Sequence, residues 1–94
     1  MADFNQINKI NQVIEAYFAA NPGVTKISAK ELMSDFMRAG IFEYNHRDGL
    51  PLRELLRNLD HEKRLDLIPS LFPERKTKNT YWYFIRQSNF TNNQ

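Results

Sequence analysis

Residues 50–86 decide the fold. They read L-P-L-R-E-L-L-R-N-L-D-H-E-K-R over 50–64, L-D-L-I-P-S-L-F over 65–72, P-E-R-K-T-K-N-T over 73–80 and Y-W-Y-F-I-R over 81–86. The first piece has a helical period: Leu52, Leu55, Leu56 and Leu59 fall on one stripe, with Pro51 in the first turn, where its missing N–H costs nothing. Arg53 and Arg57, four residues apart, share the exposed face with Glu54 and Asn58. The charge run Asp60–Arg64 is expected to unwind into a turn. The second and fourth pieces read as strands. Leu65, Leu67 and Leu71 alternate imperfectly with Ile68 and Phe72, and Pro69 requires an edge position or a bulge. Tyr81–Arg86 is the strongest strand signal in the chain. Both of its faces are aromatic, one to meet the helices and the other to be partly covered by chain ends. Glu74 to Thr80 forms a basic, polar turn between the strands.

Upstream, Asp3 with Gln6 makes a capping-box-like start to a helix whose inner stripe is Phe4, Ile7, Ile10, Ile14, Tyr17 and Phe18. Asn5, Asn8, Lys9, Asn11, Gln12 and Glu15 fill its other face. Asn21-Pro22-Gly23 stops it, Pro breaking the ladder and Gly accepting a left-handed turn. Val24–Ile27 reads as a brief strand that pairs with the later hairpin. Ser28-Ala29-Lys30-Glu31 has the S-x-x-E form of a capping box. The helix it opens turns Leu32, Met33, Phe36 and Met37 inward and Lys30, Asp35 and Arg38 outward, and Gly40 closes it. Residues 43–49, E-Y-N-H-R-D-G, form a polar connection longer than a compact helix-turn-helix uses. Residues 87–94 read as a short, flexible tail, which leaves one domain ordered over about 3–86.

Size and composition agree with a single core. The chain has 94 residues, 41% of them hydrophobic, and its twelve aromatics offset the modest apolar fraction because each buries a large area. With no cysteine, disulfides and thiolate metal sites are excluded. No apolar run approaches the ~20 residues that span a bilayer. The N-terminal M-A-D-F-N-Q lacks the basic and apolar regions of a secretory signal, so the expected location is the cytoplasm. A formal net charge of +2 permits a polyanionic partner without requiring one.

The order helix, strand, helix, helix, strand, basic turn, strand resembles the winged helix-turn-helix superfamily over about residues 4–86. The expected class is therefore α+β, a small domain of three helices with a C-terminal β-hairpin wing. The resemblance rests on element order and on the basic turn. It implies that the helix from Pro51 is a recognition helix and that Glu74–Thr80 is the wing. By the same resemblance Arg53, Arg57 and Asn58 would face bases or phosphates, and Arg75, Lys76 and Lys78 would contact phosphates. Guanidinium is a planar fork that matches the acceptor pair of guanine or a phosphate, and Asn can donate and accept at once to adenine. Thr77 and Asn79 add neutral hydrogen-bonding groups to the wing.

Against this, residues 43–64 carry five basic and five acidic side chains, so the presumed reading region is neutral as a whole, and a solvated helix face would look the same. Tyr81, Trp82 and Tyr83 offer a stacking platform for single-stranded nucleic acid or, more commonly for strand aromatics, core. His46 and His61 lie in charged, turn-like segments with no nucleophile or carboxylate at a catalytic spacing, and no phosphate-binding loop or H-E-x-x-H is present. The expectation is a non-enzymatic binder of double-stranded DNA, a transcriptional regulator in kind, without cofactor or metal, as a monomer or weak homodimer. The alternative is a winged-helix protein-interaction or scaffolding module.

Overall fold

The computed structural model describes residues 4–42 and 50–86. The Asp3 cap, the connection 43–49 with Tyr44 and His46, and the tail 87–94 lie outside the described residues. Three helices, α1 (Phe4–Ala20), α2 (Met33–Arg38) and α3 (Leu50–His61), pack on one side of a three-stranded antiparallel sheet of β1 (Lys26–Ser28), β2 (Leu71–Arg75) and β3 (Thr80–Ile85). The strand order is β1-β3-β2, so the sequence-final strand is central. This is the winged-helix layout. Among the described residues no helix is long and apolar enough to cross a membrane.

The core forms where three stripes meet. Ile7, Ile10, Ile14 and Phe18 of α1 are buried, as are Leu52, Leu56 and Leu59 of α3. Phe36 of α2 stands at the centre with its ring edge-on to Phe84 of β3, the centroids 6.0 Å apart. The Phe42 ring also meets Phe36 edge-on, the centroids 6.3 Å apart. On β3, Trp82 and Phe84 turn inward, while Tyr81, Tyr83 and Ile85 alternate to the other face.

Several details depart from the pattern. Phe4 is 58% exposed, one turn beyond what the other helices cover. Asn11 is half-buried, and its side-chain amide donates to the Leu67 carbonyl at 2.9 Å, so it bridges α1 to the turn before β2. Ser28 makes no capping bond through its side chain. It is the last residue of β1, opposite Tyr83, and the chain enters α2 through a 3₁₀ turn, Ala29–Leu32. Residues 65–67 are also a 3₁₀ turn rather than strand. There the N–H groups of Leu67, Ile68 and Leu71 bond back to Arg64, Leu65 and Ile68, and Pro69, without an N–H, prevents a ladder from starting sooner. The strand instead runs on through Pro73, Glu74 and Arg75, leaving only Lys76–Asn79 as the turn, closed by Lys76 N–H to the Asn79 carbonyl at 2.7 Å. Pro73 is tolerated because β2 is an edge strand. The Ile85 N–H reaches Ser70, which fixes the alternation and turns the backbone of Pro73 away from β3.

Two helices end in the same way. Gly40, at φ 79°, gives the left-handed residue of a Schellman motif, with Ile41 N–H bonded to Phe36 and Gly40 N–H to Met37. After α3 the same pair of bonds, Arg64 to Leu59 and Lys63 to Asp60, is closed by Lys63 at φ 59°. A side chain in that region carries roughly 1–2 kcal/mol of strain. α1 ends differently, because Gly23 is not left-handed. The Asn21 side chain donates to the Tyr17 carbonyl, and the Arg86 guanidinium donates to the carbonyls of Phe18, Asn21 and Val24 at 2.7–2.8 Å while lying 5.0 Å from the Phe18 ring centroid.

Replacing Arg86 by Met, which keeps the stem and removes the three donors, is expected to lower stability by about 2–4 kcal/mol, the scale of losing several charge-assisted bonds to carbonyls. Urea denaturation measures it. Lys63→Gly is expected to raise stability by about 0.5–1 kcal/mol, the left-handed strain relieved less the added flexibility of Gly. A rise in Tm checks it.

Candidate nucleic-acid interface

The exposed face of α3 carries Arg53, Glu54, Arg57 and Asn58, as the leucine stripe requires. Beside it, an open groove of about 910 Å³ lies between α3, the 3₁₀ turn after β1, and the start of β3 with the wing. Lys30, Arg53, Arg57 and Lys78 all line it, together with Asn79 and Tyr81. Among the described residues Asp60 is the acid that lines it, against those four bases.

That acid is already engaged. Arg75 faces the helices from the last position of β2 and grips both Asp60 carboxylate oxygens, at 2.9 and 3.0 Å. The hydrogen bond from the Arg75 guanidinium holds the Asp60 carboxyl below its usual range, its positive charge acting in the same direction. The reciprocal effect raises Arg75. Next along the wing, Lys76 pairs with Glu74 at 3.1 Å. The Lys76 hydrogen bond leads in holding the Glu74 carboxyl low, with Lys26 and Tyr83 contributing.

Of the candidate residues, the fold thus brings Arg53, Arg57, Lys78 and Asn79 to one groove. Asn58 is exposed on α3 but does not line it, and Thr77 is exposed at the tip of the wing. Arg75 and Lys76 carry acidic partners, so Arg75 acts first as a strut between α3 and the wing. Lys30 is the residue that sequence reasoning missed. It reads there as an outward helix position, and only the pairing of β1 with β3 carries it to the groove. The aromatic run divides: Trp82 is 7% exposed and belongs to the core, whereas Tyr81 is 49% exposed. Among the described residues Tyr83 is covered by Lys26, whose ammonium lies 4.3 Å from the ring centroid.

The geometry defines a small α+β domain of winged-helix layout with a cation-lined groove between its third helix and its wing. Comparison with known protein families, curated proteins and solved structures finds no match to the chain.

Because the Asp60 carboxyl is lowered in the folded state, its pairing with Arg75 contributes stability above the ordinary carboxylate pKa and loses it as pH falls through the folded value. Asp60→Asn is therefore expected to be less stable than the wild type at neutral pH, with the difference shrinking below about pH 4. Denaturation across that range checks it; a difference independent of pH would assign the loss to packing instead.

Proposed function

We propose that this domain binds double-stranded DNA, with α3 in a groove of the duplex and the wing on the phosphate backbone. The reading extends to a sequence-selective regulator acting in the cytoplasm. The observation that carries it is the gathering of Lys30, Arg53, Arg57 and Lys78 around one groove whose carboxylate, Asp60, is paired with Arg75. Residues 43–64 sum to zero along the chain, but among the described residues the groove gathers four bases against one acid. Lys30 and Lys78 come from elsewhere in the sequence, and Arg75 offsets an acid of α3.

The division of labour follows from the chemistry. Arg53 and Arg57 stand on a rigid helix, which suits bidentate hydrogen bonds to a base edge or a phosphate. Lys78 and Asn79, at the foot of a short turn, suit the backbone, which needs charge and donors but no sequence. The bidentate Arg75–Asp60 pair fixes the wing relative to α3, so both sets of contacts are met together.

With Arg53 and Arg57 on base edges, phosphate contacts by Lys30 and Lys78 release counterions with a log–log salt slope of about −1.8. Fluorescence anisotropy with a labelled duplex over a salt series measures it. Lys78→Ala is expected to reduce the slope by about 0.9 and to weaken all duplexes alike. Arg53→Ala or Arg57→Ala is expected to remove preference between sequences, at about 1–3 kcal/mol for a bidentate base contact. No binding at low salt would end the DNA reading.

A further inference from the structure

The side of the sheet turned away from the helices is not the polar surface that a solvated antiparallel sheet usually shows. Trp82 and Phe84 point into the core, so alternation and register place Tyr81, Tyr83 and Ile85 of β3 on the outer face, with Phe72 and Glu74 of β2 and Lys26 of β1. Phe72 is 40% exposed and Tyr81 49%, so two of the large hydrophobic residues left in solvent share this one face.

Two charges frame the patch. Lys26 lies opposite Ile85 and Glu74 opposite Tyr81, on the two strands that flank β3. Each is therefore one strand over and two residues along from Tyr83, in opposite directions. The Lys26 ammonium rests over the rings of Tyr83 and Phe72, 4.3 and 5.4 Å from their centroids. Among the described residues it makes no ion pair. Glu74 pairs with Lys76 at 3.1 Å and takes a hydrogen bond from Tyr83, which leaves acceptor positions on a carboxylate that has about four.

An isologous pair requires a surface complementary to itself. A twofold axis that runs between two facing sheets over Tyr83, across the Lys26–Glu74 diagonal, brings each Lys26 to the partner's Glu74 and each Tyr83 to its counterpart. The middle of such an interface is aromatic, and Tyr hydroxyls keep hydrogen-bonding capacity there. A partner of one charge would answer only one of the two corners, whereas a second copy answers both. Three short strands offer an area at the low end for a stable interface, so the association is weak and reversible.

We infer that the outer sheet face pairs two copies of this chain face to face, with Tyr83 near the twofold axis and Lys26 of each copy against Glu74 of the other. None of Lys30, Arg53, Arg57 and Lys78 belongs to the three strands, so the pairing goes beyond the duplex reading and is tested apart from it.

Sedimentation equilibrium of the full chain from about 10 μM to about 1 mM, the range in which small interfaces associate, tests it. The wild type is expected to pass from monomer to dimer and to stop there. Lys26→Glu and Glu74→Lys each set like charges together at both corners, and each alone is expected to weaken self-association about tenfold or more. An equimolar mixture of the two variants restores opposite charges at both corners and is expected to dimerise as the wild type does. That rescue also shows that both variants are folded. Phe72→Ser, which leaves both charges in place, is expected to weaken association as well, and it decides the question should a reversal variant fail to fold. If the wild type stays monomeric throughout, the face is left to another occupant, residues 87–94 or a different protein, and the inference is overturned. It is overturned equally if the wild type dimerises but neither the charge reversals nor Phe72→Ser change the association, or if the folded reversal variants do not recover on mixing.

Discussion

The Arg86 guanidinium is the contact on which the arrangement depends. A helix leaves its last carbonyls without partners, and α1 ends against the sheet, where water is partly excluded. One side chain from the end of the central strand answers the carbonyls of Phe18, Asn21 and Val24 and lies against the Phe18 ring. The Arg86 backbone N–H meanwhile holds Thr25. The end of the first helix, the entry to the first strand and the exit from the last are thus pinned at one point. Fixing β1 against β3 fixes the 3₁₀ turn that follows, and with it the position of Lys30.

A second tie, smaller and more exposed, sets the other side of the groove. Arg75 is on the inward-facing register of β2, which lets it reach Asp60 on α3. Its charge is used inside the domain, and the other basic residues that line the groove, among the described residues, are Lys30, Arg53, Arg57 and Lys78. The groove walls are held from two directions, by a packed clamp at Arg86 and by an ion pair at Arg75. Only the second responds to acid within the range where carboxylates titrate.

Much of this was legible in the chain. The leucine stripe of α3, the inner stripe of α1 and the strand at Tyr81 follow from period alone, and α2 ends at Gly40 as its turn chemistry requires. The misreadings have two causes, a local run of tight turns in one case and partners distant in sequence in the others. Leu65–Leu67 has strand-like residues, but Pro69 and three successive back-bonded turns hold it in 3₁₀ form. Ser28 and Glu31 have the spacing of a capping box, yet Ser28 ends β1 opposite Tyr83 and the turn that follows is 3₁₀, with no side-chain cap bond. Arg86 looked like the polar end of a strand, since nothing in its neighbours announces three carbonyls more than sixty residues away. In the candidate site, Arg53 and Arg57 could be found from helix geometry, and Lys78 and Asn79 from the wing. Lys30 could not, because its place depends on β1 lying beside β3.

The two sides of the sheet are also unequal in what they permit to other chains. Along the outer edge of β2, the positions that turn their backbone to solvent are Leu71, Pro73 and Arg75. The Leu71 N–H is spent on Ile68, and Pro73 has none. A second molecule seeking to extend the sheet there finds donors missing where it needs them, a common guard against edge-to-edge aggregation. On the opposite side, no described strand lies beside the start of β3, and Lys30, Arg57 and Lys78 line the groove there, which disfavours a second copy that brings its own cations. The sheet is thereby closed to indefinite self-templating growth from either side, which lets a small domain keep a strand with aromatics on both faces without becoming a seed for fibres.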